Sequence, residues 1–182
     1  MNANANSAPS IKIRVIHREE TAAVLELIHQ SIRRINAQDY SPQEIDAIID
    51  RMYTPQSITQ GTYIVAECPS QLVGVIGFET CGTIGWINAV FTHPDFVRQG
   101  IGRMLVQEVE HRALNQGVVW LHVLSSRTAF EFYRALGYTE EDSILKYGFS
   151  IPLDKQLRTP SLTEQLFRTP FDISLSFIKW FS

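Results

Sequence analysis

The stretch from Phe91 to Gly102, Phe-Thr-His-Pro-Asp-Phe-Val-Arg-Gln-Gly-Ile-Gly, joins a β-branched and aromatic run to an amphipathic helix through a loop ending in Gly100-Ile101-Gly102. Such a junction suits an anion. The first four N–H groups of a helix have no partner inside it, point outward, and lie at the positive end of the aligned peptide dipoles. Phosphate is the usual guest. Glycine at 100 and 102 removes the Cβ atoms that would keep a pyrophosphate from the backbone, and Arg98 and Arg103 add mobile positive charge. Other phosphate loops do not fit the spacing. A dinucleotide fingerprint needs a third glycine where Leu105 stands, and a P-loop needs Gly-Lys-Ser/Thr, which the chain lacks. Taken alone, the Gly-x-Gly is equally compatible with an ordinary strand-to-helix turn.

A second piece lies downstream. Trp120 to Leu124 reads as a buried strand, and Ser126 to Leu136 as a helix stopped by Gly137, with Ala129, Phe132, Tyr133 and Leu136 on one face. With both pieces in view, the chain resembles the GNAT superfamily of acetyl-CoA-dependent N-acetyltransferases. The family pattern Q/R-x-x-G-x-G/A falls on Val97 to Gly102, and N-x-x-A-x-x-F-Y-x-x-x-G-F/Y falls on Ser126 to Tyr138. The resemblance covers Ile11 to Leu153. Two positions depart from it. Val97 replaces Gln or Arg, which removes one side-chain contact to the cofactor phosphates and leaves Arg98 as its substitute. Ser126 replaces asparagine with a shorter group that still hydrogen-bonds, or caps the helix instead.

The resemblance implies a site, residue by residue. Arg98, Gln99, Gly100, Ile101, Gly102 and Arg103 would hold the cofactor pyrophosphate, chiefly through backbone N–H. The fourth and fifth strands would splay, and Val90, Phe91 and Thr92 would pair with the pantetheine arm of acetyl-CoA, with Ser126 nearby. Tyr133 matches the catalytic tyrosine, a phenol that is protonated at neutral pH and can donate to the departing sulfur; it also shares an apolar stripe, and packing and acid roles are compatible. No base is obvious. Trp86, Asn88 and Leu121 stand where some relatives carry acids, which leaves Glu79 and His122, each with a purely structural alternative. The acceptor, a primary amine of a small molecule or a protein, would lie near the first two helices, where Arg34 and Tyr40 are its candidate contacts. The expected activity is direct acetyl transfer in a ternary complex. The alternative is a non-catalytic acyl-CoA-binding module that regulates a partner.

Composition is consistent with this reading. The chain has 182 residues, 45% of them hydrophobic, which suits one globular core, and its net charge of −3 gives no basic footprint for nucleic acid. Two cysteines without a CxxC and scattered histidines signal neither a disulfide framework nor a metal site. The first residues lack the basic and apolar regions of a signal peptide, and no apolar run spans a bilayer, so a cytoplasmic protein, monomeric or homodimeric, is expected.

Around the site, the pattern predicts a flexible lead over residues 1–10, a domain over 11–155, which the resemblance implies is the acetyltransferase domain, and an aromatic extension over 156–182. Ile11 to Ile16 alternates as a strand, and Thr21 to Ile35 carries a helical stripe. Ser41, Pro42 and Glu44 form a capping box for a second helix through Met52. Three meandering strands follow (62–66, 72–78 and 85–92), then a helix from Ile101 to Asn115 burying Met104, Leu105, Val109, Ala113 and Leu114. A last strand is predicted from Ile144 to Leu153. The order β-α-α-β-β-β-α-β-α-β gives an α+β fold, a mixed and mostly antiparallel sheet flanked by helices. In the extension, Ser161 and Glu164 read as a further capping box, and Phe167, Phe171, Phe177, Trp180 and Phe181 are too aromatic for an ordinary tail.

Overall fold

A computed structural model describes residues 10–69, 71–140 and 150–166. Its strands are β1 (Lys12–Val15), β2 (Thr62–Cys68), β3 (Gln71–Cys81), β4 (Ile84–Thr92), β5 (Trp120–Ser125), β6 (Thr139–Glu140) and β7 (Ile151–Gln156). They form one sheet in the order β1-β2-β3-β4-β5-β7-β6. Every neighbouring pair is antiparallel except β4 and β5, which are joined through the crossover helix α4 (Ile101–Asn115). The α+β architecture is the one the pattern predicts.

Both sheet faces are covered, so β2 and β3 read as apolar runs rather than alternating ones. Ile64 and Ala66 of β2 face α4, in a core with Ile76, Leu105, Val109 and Leu121. Tyr63 and Val65 point the other way, toward Val24, Ile28 and Ile32 of α1 (Thr21–Ile35) and Ile45 and Ile49 of α2 (Pro42–Met52). The capping box at α2 forms as expected: the Ser41 hydroxyl accepts from Glu44 N–H, and Glu44 accepts from Ser41 N–H.

Four local features differ from the pattern. A short helix α3 (Pro55–Gln60) was not predicted; it has its own box from Thr54 and Ser57 and buries only Ile58, too little for a periodic signal. The helix expected from Ser126 is regular only as α5 (Phe130–Arg134), because residues 126–130 close tighter turns, with Ala129 N–H on Ser126 O and Phe130 N–H on Arg127 O. Leu114 is 40% exposed, one residue beyond the buried stripe that ends at Ala113. The final strand runs over Ile151–Gln156 with the two-residue β6 beside it, while residues 144–149 of the predicted strand lie outside the described residues. So do the five aromatic residues of the extension, whose capping box does open the helix α6 (Leu162–Leu166). Among the described residues no helix is long and apolar enough to cross a membrane.

Candidate active site

The parallel pairing of β4 with β5 is brief. It runs from Ile84 opposite Trp120 to Ile87 opposite Val123 and then stops. Beyond it β5 stays with β7 through Ser125, and β4 stays with β3 through Thr92. The divergence begins at an irregularity: Gly77 pairs with Ala89 and Phe78 with Ile87, so Asn88 is an extra residue on β4. Such a bulge bends its strand and increases local twist. The result is an opening in which, among the described residues, no strand lies beside the outer edge of Val90, Phe91 and Thr92. A cleft of about 1450 Å³ occupies the opening and continues beneath α1 and α2.

The glycine loop forms one mouth of this cleft. The backbone turns left-handed at Arg98 (φ 63°) and again at Gly100 (φ 82°), and α4 starts at Ile101. The first intrahelical bond recorded there is Met104 N–H to Gly100 O, so the N–H groups of Ile101, Gly102 and Arg103 precede the ladder. The two glycines do different work. A Cβ at Gly100 would meet nothing within 4 Å, so that position needs glycine for its conformation and opens onto space. A Cβ at Gly102 would sit 3.2 Å from the Phe132 ring, so there the small residue lets α4 and α5 approach.

Tyr133, on α5, borders the same cleft. It is 3% exposed and is flanked edge-on by Phe132 and Tyr138. Burial pushes its phenol well above the ordinary value, so the hydroxyl keeps its proton at any working pH. Ser126 also borders the cleft, and its hydroxyl accepts from Ala129 N–H at 3.2 Å, closing the turn before α5.

The sheet floor carries a row of side chains on the face shared with α1 and α2. Glu79 on β3 pairs with Trp86 on β4, and Trp86 with His122 on β5, the last two rings stacked with centroids 6.3 Å apart. Glu79 and Trp86 border the cleft, whereas His122 is 9% exposed and does not. Glu79 also raises the already elevated Tyr63 phenol, an effect secondary to burial.

Most of the sequence-predicted residues therefore meet around one cavity: Val90, Phe91, Thr92, Arg98, Gly100, Ile101, Gly102 and Arg103 with Ser126, Tyr133 and Glu79. Gln99 and His122 are not on its wall. Arg34 and Tyr40 border it and are engaged already, since Arg34 donates to Asp95 at 2.9 Å and the Tyr40 hydroxyl accepts from Arg127 N–H at 3.0 Å. Thr128 and Phe132 also border the cleft and were missed, although both fall inside the second motif, at its variable or packing positions. Among the described residues no group of His, Cys, Asp and Glu is arranged to hold a metal ion.

Comparison with solved structures finds the same fold. The PaiA N-acetyltransferase from Thermoplasma acidophilum, in complex with coenzyme A, superposes with a TM-score of 0.73 at 21% identity, over 81% of this chain and 99% of that one. The ribosomal-protein-S18-alanine N-acetyltransferase from Escherichia coli gives 0.63 at 12% identity, over 84% and 97%. N-acetylglutamate synthase from Neisseria gonorrhoeae, complexed with coenzyme A and L-arginine, gives 0.59 at 19% identity, over 84% of this chain and 34% of that one. A search among curated proteins finds no match to this sequence. The acetyltransferase (GNAT) family matches residues 26–138, most of the chain and the whole of both motifs, and the protein belongs to that family.

Proposed function

We propose that the protein transfers an acetyl group from acetyl-CoA to a primary amine by direct attack in a ternary complex. The observation that carries this reading is the meeting, in one cleft, of the glycine-bordered start of α4, the unpaired edge of β4 and the protonated phenol of Tyr133. Arg98 to Arg103 would take the pyrophosphate on backbone N–H and flanking guanidinium groups, and the open space at Gly100 leaves room for it. The free edge at Val90, Phe91 and Thr92 would pair with the amides of the pantetheine arm, as an exposed strand edge does with any extended chain.

The chemistry then balances with few groups. The neutral amine nitrogen bonds to the thioester carbonyl carbon, the carbon–sulfur bond breaks, and coenzyme A leaves with its sulfur protonated from Tyr133. Before attack the acceptor's ammonium loses its first proton to Glu79, which borders the cleft where His122 does not. The second nitrogen proton, released as the amide forms, passes through solvent to the Tyr133 phenolate and restores its hydroxyl.

A non-catalytic acyl-CoA-binding module is the second reading, and Val97 favours it, being apolar and 41% exposed where the motif has a polar phosphate contact. Thermal melting with acetyl-CoA, coenzyme A and NAD tests the shared premise, because a ligand that binds only the folded state raises its melting point. A shift with both CoA compounds and none with NAD is expected. Release of free thiol on adding a panel of primary amines and short peptides then separates enzyme from module. Absence of any shift would remove both readings.

A further inference from the structure

Helix α5 carries Tyr133 and has only five residues, far below the length at which an isolated helix persists in water. Its geometry must be imposed from outside: core and aromatic packing hold its middle, and polar contacts hold its two ends. At the far end, Lys155 of β7 donates to the Leu136 carbonyl at 2.8 Å and is itself held by both oxygens of Glu110 on α4, at 2.9 and 3.0 Å. At the near end the anchor comes from the connection between α1 and α2. The Thr128 hydroxyl donates to Asp39 Oδ2 at 2.6 Å, Arg127 N–H donates to the Tyr40 hydroxyl at 3.0 Å, and the Arg127 guanidinium lies over the Tyr40 ring at 5.4 Å. These contacts join parts of the chain 87 and 89 residues apart.

Resting on the acetyltransferase reading above, we propose that Asp39 and Tyr40, through the Thr128 hydroxyl and the Arg127 N–H respectively, are positioning residues for Tyr133. The segment that borders the acceptor side of the cleft is also the near-end anchor of the helix that supplies the acid. Anything that moves residues 39–40 therefore moves the turn at 126–129, and with it the phenol. Tyr40 serves as a strut, its hydroxyl accepting from Arg127 N–H and its ring 6% exposed.

The test uses the full chain with 3-fluorotyrosine at position 133 and acetyl-CoA bound. Its 19F resonance is expected to be single and narrow, and to broaden or split in Tyr40→Phe with Thr128→Val, a pair that removes both hydroxyls with little change of volume. Thr128→Ser, which keeps the hydroxyl, is expected to restore the narrow line. Each single variant provides the same readout should the double variant fold poorly. An unchanged line in all of them overturns the proposal. Turnover of the best amine in the panel adds a second arm. The paired substitution should lower kcat about tenfold with the acetyl-CoA KM within about twofold, and should change kcat by less than about twofold when Tyr133 is already Phe, since residues that act through one another are not additive. Equal losses in both backgrounds overturn the proposal. A Tyr133→Phe variant with normal kcat overturns the acid role itself, while an intact melting shift with acetyl-CoA would keep the cofactor reading standing.

Discussion

The rings of Tyr133 and Tyr138 meet edge to face with centroids 5.4 Å apart, and the Tyr138 hydroxyl donates to Glu110 of α4 at 3.1 Å. Tyr133 is thus fixed by aromatic packing on a residue that is itself tied to α4, the helix that follows the glycine loop. Among the described residues this packing gives its hydroxyl no hydrogen-bond partner. Tyr133→Phe should therefore leave the melting temperature and acetyl-CoA affinity nearly unchanged while lowering kcat by about 10²-fold, the usual scale for a positioned acid. Because burial raises the phenol above its ordinary value of about 10, kcat should show no falling limb from Tyr133 below that pH. Stopped-flow or thiol-release rates against pH would check both.

The two glycines of the loop should fail differently. Gly100→Ala forces a side chain into a left-handed backbone, a cost of about 1–2 kcal/mol, or a fall of about 2–8 °C in Tm for a chain this size. Gly102→Ala keeps a helical backbone but drives its Cβ against Phe132, beside the proposed acid. It should lower kcat out of proportion to its effect on Tm. Melting curves and kcat for the pair separate the two effects.

Glu79→Gln should lower kcat at neutral pH, with a loss that shrinks as pH approaches the pKa of the amine, since more of the acceptor then arrives neutral. His122→Asn should not show that convergence. A Glu79→Gln loss of equal size at every pH would assign Glu79 to the cleft wall.

Acid stability should depend on Glu20. The Arg14 guanidinium grips its carboxylate through two bonds of 2.7 Å and also bonds Glu67 of β2, which lowers Glu20 to about 2. A depressed carboxyl contributes stability that is complete above its unfolded value, 4.5, and is lost as pH falls through the folded value. Glu20→Gln should therefore melt lower than the parent at pH 7 and converge with it near pH 2. Melts across that interval provide the check.

Removing the cap of α2 with Ser41→Ala should cost about 1 kcal/mol, seen as a fall of about 2–4 °C in Tm. Acetyl-CoA affinity should not follow, because none of the residues proposed to hold the cofactor belongs to α2.

The chain's local signals are of uneven reach. Hydrophobic periodicity, the Ser41 box and the turn glycines determined α1, α2, α4 and the three meandering strands within a few residues, since each depends on contacts close in sequence. The two motifs marked Gly100, Gly102 and Tyr133 for the same reason. What the tertiary structure decided is everything set by distant partners. The stop in β4–β5 pairing follows from a bulge at Asn88 that no local residue type announces. The shortening of α5 accompanies turns held by Asp39 and Tyr40, contributed from 87 and 89 residues away. Glu79 and His122 looked equivalent as bases, and only the packing of the sheet floor put Glu79 on the cleft lining and left His122 off it. Spacing along a chain records which groups can act; whether they share a cavity depends on strand order and register, which are settled by burial summed over the whole sheet.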